Sequence, residues 1–196
     1  KVLPLILAAL VLTACSSNTS ESASSCEPGK LKTVTDGVLT IATGEPAYYP
    51  WVIDDKPESG NGFEAAVALA VAKELGYEGD KVKWVRTTFD SAIAPGEKNF
   101  DFNLQQFSIT EDRKKAVDFS DPYYKSTQVI VSYKGSKIAN AKSIADLANA
   151  KLGAAVATTS LDAIENILKL KAQVFNDNAA GVTALKNKQI DGLVVD

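Results

Sequence analysis

Apolar and polar positions along this chain alternate between short β-branched runs and longer segments of helical period. "VLTIAT" (38–43) predicts a strand, and a loop rich in Pro, Gly and Asp follows it. Between Asn61 and Gly76, Phe63, Val67, Ala70, Val71 and Leu75 recur at helical spacing, with Asn61 and Glu64 at the spacing of a capping box. "KVKWVRTTF" (81–89) and "FDFNLQQFSI" (100–109) predict two more strands, the second entering a short helix near Arg113. "TQVIVSY" (127–133) predicts a strand and "SIADLAN" (143–149) a short helix. "KLGAAVATTS" (151–160) is a strand running into a helix start, after which Leu161, Ile164, Ile167 and Leu168 line one helical face. "AQVFN" (172–176), "NAAGVTALKNKQ" (178–189) and "IDGLVVD" (190–196) close the series as strand, helix and strand. Strands alternating with helices predict an α/β architecture with mostly parallel sheets.

The first 36 residues break this rhythm. Val2 to Ala14 is apolar or small throughout behind a single Lys1, too short to span a bilayer but suited to the core of a secretory signal. Leu12-Thr13-Ala14-Cys15 resembles a bacterial lipobox, which places cleavage before Cys15 and a lipid on its thiol; a plain secretory signal with an incidental cysteine is the alternative. The Ser-rich run that follows is too polar to bury a core and reads as a flexible tether. The expected organisation is a signal peptide at 1–14 and a lipidated cysteine with its tether at 15–36. With Cys15 lipidated, Cys26 is left odd, which in an oxidising compartment invites pairing with a cysteine outside this stretch of chain.

Composition narrows the chemistry. Histidine is absent, which removes the commonest general base and metal ligand and with them His-based triads and most zinc sites. No cofactor is implied. A net charge of −3 gives no general attraction to nucleic acid.

The densest chemistry lies in "QQFSITEDRKKAVDFSDPYY" (105–124). Two readings of Arg113 are open from the residues alone. It can lie on the polar face of a helix with Lys114 and Lys115, near Glu111 or Asp112, where surface ion pairs contribute about 0–1 kcal/mol. Or it can turn inward, because Ser108 and Thr110 put hydroxyls and free helix-start N–H groups beside it. A guanidinium and amides so arranged form a carboxylate receptor.

The same stretch resembles the Ser-Ile-Thr-x-x-Arg…Phe-Ser-x-Pro-Tyr signature of bacterial periplasmic amino-acid-binding proteins, the solute-binding subunits of polar amino-acid ABC transporters. "GVLTIATGEPAYYPWV", "GNGFEAAVALAVAKELGY", "SIADLANAKLGAAVATTS" and "ALKNKQIDGLVVD" are similar to further segments of that family in the same order, over about residues 37–196. The resemblance implies a two-lobed periplasmic-binding-protein-like fold of type II that closes on its ligand without catalysis. Lobe one is expected at 37–122, a hinge crossing at 123–127, lobe two at 128–193 and a return hinge at 194–196. Because Asp196 falls where the chain re-enters lobe one, and the first residue is Lys, a fragment with lobe one incomplete is expected.

By resemblance, Arg113 binds the ligand α-carboxylate and Ser108 lies near the same group, Thr159 adds donors from the second lobe, and Gln106 brings its backbone to the ligand. Asp196 receives the α-ammonium, Glu45 seconds it or touches the side chain, and Tyr48 and Trp51 stack on the ligand. Core packing is the alternative for Trp51, and a plain N-cap with Asp162 the alternative for Thr159. Three positions depart from the family pattern. Glu64 and Ala66 stand for its paired helix acids, Gln105 and Gln106 for small residues, and Ala157 for the glycine of Gly-Thr-Thr. The implied partners are a free amino acid, an ABC permease and, through the lipid anchor, the extracytoplasmic face of the cell membrane; the protein is expected to act as a monomer. A cyclohexadienyl or prephenate dehydratase on the same fold and the sensing domain of a larger receptor are the alternative functions.

Overall fold

The computed structural model describes residues 27–196, so the expectations for the signal segment, Cys15 and Cys26 lie outside the described residues. The expected alternation of strands and helices is found, gathered into a three-stranded and a four-stranded sheet.

The first sheet has β1 (Leu39–Gly44) at its centre, parallel to β2 (Val82–Thr87) on one side and to β3 (Phe102–Asn103) on the other. All six residues of β1 are buried, the pattern of a strand covered on both faces. Register runs from Leu39 opposite Val82 to Gly44 opposite Thr87. Leu39 and Ile41 pack with Ala68, Ala72, Tyr77 and Leu104 into the core of this unit. The strand expected over residues 100–109 is only two residues long. Beyond it Leu104 still donates its N–H to the Ala42 carbonyl, and the chain then leaves the sheet as a loop towards Arg113.

Helix α1 (Phe63–Glu74) covers this sheet, though not by the expected face. Ala65, Ala68 and Ala72 are buried whereas Phe63 and Val71 are about 40% exposed; Val67 and Leu75 pack only partly against the core. Ala68 and Ala72 are the helix residues that join Leu39 and Ile41 in the core. The expected capping box does not form. The N-cap is Gly62 at φ 110°, with no side-chain cap, and the Glu64 carboxylate points into the protein instead of back to the helix start. Gly62 is required there, because a Cβ would lie 2.4 Å from the Trp51 carbonyl oxygen. A short helix, α2 (Phe89–Ile93), follows β2 and is capped by Thr88.

The second sheet runs β4 (Val129–Ser132), β7 (Gly192–Val195), β5 (Leu152–Ala155), β6 (Gln173–Phe175). Only the β4–β7 pairing is antiparallel, with Val129 opposite Val195. Residues 143–149 form a single 3-10 turn, Ile144–Leu147, held by a capping box between Ser143 and Asp146. Helix α3 (Thr159–Asp162) continues as a π turn over Ala163–Ile167. Its i to i+5 bonding, Leu168 N–H to the Ala163 carbonyl, shifts the phase of the apolar stripe. Ile164 is therefore buried and Ile167 two-thirds exposed, unlike the continuous face expected. Helix α4 (Asn178–Lys186), capped by Asp177, packs Ala184 and Leu185 against Ile190 and Leu193.

Candidate functional site

The loops at the carboxyl ends of β1, β3 and β5 meet between the two sheets, where parallel α/β sheets bind ligands. Arg113 stands at the junction. It opens the 3-10 turn Arg113–Lys115, and Thr110 accepts its backbone N–H. Lys114 pairs with Glu111 and Lys115 with Asp112 on the surface, whereas Arg113 is turned inward and 9% exposed. Its guanidinium donates to the Ser108 carbonyl at 2.7 Å and, across to the second sheet, to the Ala157 carbonyl at 2.8 Å. Two of five donors are thus engaged and three N–H groups remain. The rings of Phe89 and Phe107 lie 5.3 and 5.5 Å from its central carbon, within cation–π range. None of the four ion pairs among the described residues includes Arg113. Burial lowers its pKa from the ordinary value, and the charge of Asp196 opposes that shift.

Facing it, Thr158 is the N-cap of α3, accepting from Leu161 N–H at 3.1 Å. Thr159 is thereby freed from that role. Its hydroxyl lies 3.4 Å from Ser108 Oγ and accepts from Gln128 Nε2 at 3.1 Å; the side-chain Oε1 of Gln128 in turn accepts from the Ser160 hydroxyl at 2.7 Å. Tyr48 makes the third link between the units, its hydroxyl accepting from Ala179 N–H at 3.2 Å at the start of α4. Burial raises the Tyr48 pKa.

Two of the loop turns need left-handed backbone. Gln106 sits at φ 52° and Ala157 at φ 60°, each without being glycine. At the second, the Gly-Thr-Thr pattern that this segment resembles would put glycine, the residue such a φ suits. Gln106 is held by Glu64, 1% exposed, which accepts from the Gln106 N–H at 2.9 Å, from the Gln106 side-chain amide, and from the Tyr123 hydroxyl at 2.5 Å. Burial raises the Glu64 pKa, and these three donated bonds hold the rise back. Tyr123 is raised in turn, by burial first and by the Glu64 charge second. Gln105 is buried beside Gly44, its amide 3.4 Å from the Thr87 carbonyl.

Two adjoining cavities open here. The smaller, about 120 Å³, is bordered by Glu45, Tyr48, Gln106, Ser108, Arg113, Thr159 and Asp196. The larger, about 890 Å³, is bordered by the aromatic residues Trp51, Tyr123 and Tyr124; Tyr48, Gln106, Ser108 and Asp196 wall both. Trp51 does not reach the smaller cavity. It packs edge-on against Tyr124 at 4.8 Å and Phe63 at 5.8 Å. The loop that carries Glu45, Tyr48 and Trp51 is clamped by Arg86, which donates to the Gly44 carbonyl, to Asp55 Oδ1 and to the Asp55 carbonyl; Asp55 also accepts from Ala47 N–H. Phe89, Phe107 and Gln128 carry no local sequence signal that marks them for this site, beyond the place of Phe89 just after β2, where a loop meets the cleft.

A pattern built from the bacterial extracellular solute-binding proteins, family 3, matches residues 39–169. The chain belongs to this family. Among family members, the ABC transporter glutamine-binding protein GlnH of Bacillus subtilis is 30% identical over 97% of the chain and 71% of its own length. The arginine-binding extracellular protein ArtP of the same organism is 37% identical over 74% of the chain and 52% of its own length. A solved structure, an ancestral amino acid-binding protein described as a precursor of cyclohexadienyl dehydratase, superposes with a TM-score of 0.67 and 36% identity, covering 81% of the chain and 70% of the other. The fold of this solute-binding chain is accordingly of the periplasmic-binding-protein type.

Proposed function

We propose that the chain captures a free amino acid between its two units and presents it to the permease of an ABC importer. The observation that carries this reading is a buried guanidinium on the boundary between the sheets, with three N–H groups to spare and no protein carboxylate paired to it among the described residues. A buried cation so oriented favours a ligand carboxylate, because a planar fork bonds two oxygens at once. Thr159 and Ser108 supply hydroxyls beside it, and Asp196, on the same cavity wall, supplies the charge for an α-ammonium. Glu45 and Tyr48 border the remaining wall, and the backbone of Gln106 forms the rim shared with the larger cavity. A side chain anchored at Arg113 extends past that rim, where Trp51 is available to it.

The mechanism is binding by closure. The domain limits are 37–122, 123–127, 128–193 and 194–196. Residues of the first lobe contribute Arg113 and Ser108 and those of the second Thr159, so a ligand that needs all three stabilises the arrangement in which the lobes touch. GlnH and ArtP carry binding-protein names, which favours a carrier over an enzyme, and their different ligands leave the side chain of this chain's ligand open. Export with a lipid at Cys15 fits a membrane-held receptor and the Ser-rich tether after it.

Titration calorimetry of the chain against the twenty amino acids is the test. Wild type should bind one or a few of them, and Arg113→Ala should weaken that binding by about 3–5 kcal/mol, the penalty for unpairing a buried charge. Retained affinity in Arg113→Ala would sink the assignment. Turnover of a cyclohexadienyl acid would favour the dehydratase reading.

A further inference from the structure

We propose that Glu64 is a positioning residue for the amino-acid site: it fixes the left-handed turn at Gln106 and ties that turn to Tyr123 of the crossing segment. This rests on the reading of the cleft as an amino-acid site.

Three observations converge on it. The carboxylate lies in the first turn of α1 but is almost wholly buried, which is uncommon for a glutamate, and it caps nothing there. Its oxygens collect donors from two other segments: the backbone and side-chain amides of Gln106, and the hydroxyl of Tyr123. Gln106 in turn holds φ 52°, a conformation that non-glycine residues rarely keep without an external bond, and it lies two residues before the Ser108 carbonyl that receives Arg113. The chain of contacts therefore runs from Tyr123 through Glu64 and Gln106 to Ser108 and Arg113. Tyr123 lies where the chain passes from the first sheet to the second, between β3 and β4. A change in the crossing is thus felt at the carboxylate receptor. Glu64 borders the larger cavity but bonds no group of the smaller one other than Gln106, so its action on the carboxylate receptor is through Gln106.

The test uses the purified chain and two variants. Glu64→Gln keeps the size of the side chain but offers a single acceptor oxygen to three donors, and its NH2 faces a donor. Tyr123→Phe removes only the tie to the crossing. Calorimetry with the best-bound amino acid, unfolding without ligand, and amide exchange at Gln106 and Phe107 are measured for each. We expect Glu64→Gln to weaken binding about tenfold or more, and Tyr123→Phe a few-fold, as loss of bonds to a charged group implies. Exchange at Gln106 should quicken in Glu64→Gln beyond any change in the β1 amides.

Affinities within about twofold of wild type in both variants, or losses that follow the unfolding midpoint with Gln106 exchange unchanged, would overturn the proposal. Should wild type bind no amino acid while Arg113→Ala behaves identically, the functional reading fails on its own. Gln106 exchange then decides whether Glu64 holds the turn: unchanged exchange overturns that as well.

Discussion

Arg113 and Ala157 are carried on loops of different sheets, and the guanidinium of one donates to the carbonyl of the other at 2.8 Å. The same guanidinium donates to Ser108 on its own side at 2.7 Å. One planar cation therefore fastens both walls of the cleft while keeping donors for an anion. A lysine ammonium has one centre and cannot satisfy two carbonyls and a carboxylate in one plane. We expect Arg113→Lys to fold, because the positive charge stays, yet to lose about 1.5–3 kcal/mol of amino-acid affinity by calorimetry, the range for a charged hydrogen bond. Wild-type affinity in Arg113→Lys would show that geometry at this site is irrelevant.

Ala157 holds φ 60°, for which an L residue meets strain of roughly 1–2 kcal/mol that glycine avoids. Glycine gives back part of that in unfolded-chain entropy, about 0.5–1 kcal/mol. Ala157→Gly should therefore raise stability in urea by roughly 0.5–1 kcal/mol. The carbonyl that receives Arg113 is unchanged by this substitution, so affinity should hold. A destabilised Ala157→Gly would mean that the Ala157 methyl contributes packing that outweighs backbone strain.

Glu64 gives a pH dependence whose sign is fixed by burial. Its pKa in the folded chain is raised above the ordinary 4.5, so the folded state holds its proton more tightly than the unfolded chain does. The stability it contributes is fully present below that ordinary value and is lost as pH rises through the folded pKa. Urea midpoints for wild type and Glu64→Gln, compared from about pH 4 to 7, should show wild type losing ground to the variant as pH rises. Taking the difference cancels Asp55, Asp112 and Asp146, whose lowered pKa values act with the opposite sign. A difference that grows in favour of wild type with rising pH would show that the three donated bonds outweigh desolvation.

Period and turn chemistry made most elements readable in the sequence, and the errors have identifiable causes. Asn61 and Glu64 have capping-box spacing, but spacing does not see the positive φ of Gly62, which moves the N-cap and frees Glu64 to turn inward. The stripe from Phe63 to Leu75 follows the large apolar side chains, whereas the residues the fold buries fully are Ala65, Ala68 and Ala72, and size does not mark them. Ile167 fell off its expected face because a π turn is invisible to a fixed helical period. Arg113 stayed ambiguous from its neighbours alone, because Lys114 and Lys115 fit the same acids; those lysines hold the surface pairs and Arg113 is buried. Phe89, Phe107 and Gln128 come to the cleft from segments far apart in the chain, and no local pattern marks such a meeting.

The loop bearing Glu45, Tyr48 and Trp51 buries Val52 and Pro57, and Arg86 ties its two ends together. From β2 it bonds the Gly44 carbonyl at 2.6 Å, the Asp55 carboxylate at 2.7 Å and the Asp55 carbonyl at 2.5 Å, so the start and the end of the loop close on one guanidinium. Asp55 adds a bond from Ala47 N–H at 2.9 Å. As an exposed ion pair Arg86–Asp55 would contribute only about 0–1 kcal/mol, but the two carbonyl bonds make it a clamp on loop geometry. Arg86→Met keeps the apolar stem and removes the clamp. Stability should fall by about 1–2 kcal/mol, from two lost bonds to a charged donor offset by resolvation of the carbonyls. Tyr48 should then lose its fixed approach to Ala179, so amino-acid affinity drops and the closed arrangement is less populated, as small-angle scattering with saturating ligand would show. An Arg86→Met chain of unchanged affinity and dimensions would mean that Tyr48 is held by the second lobe alone.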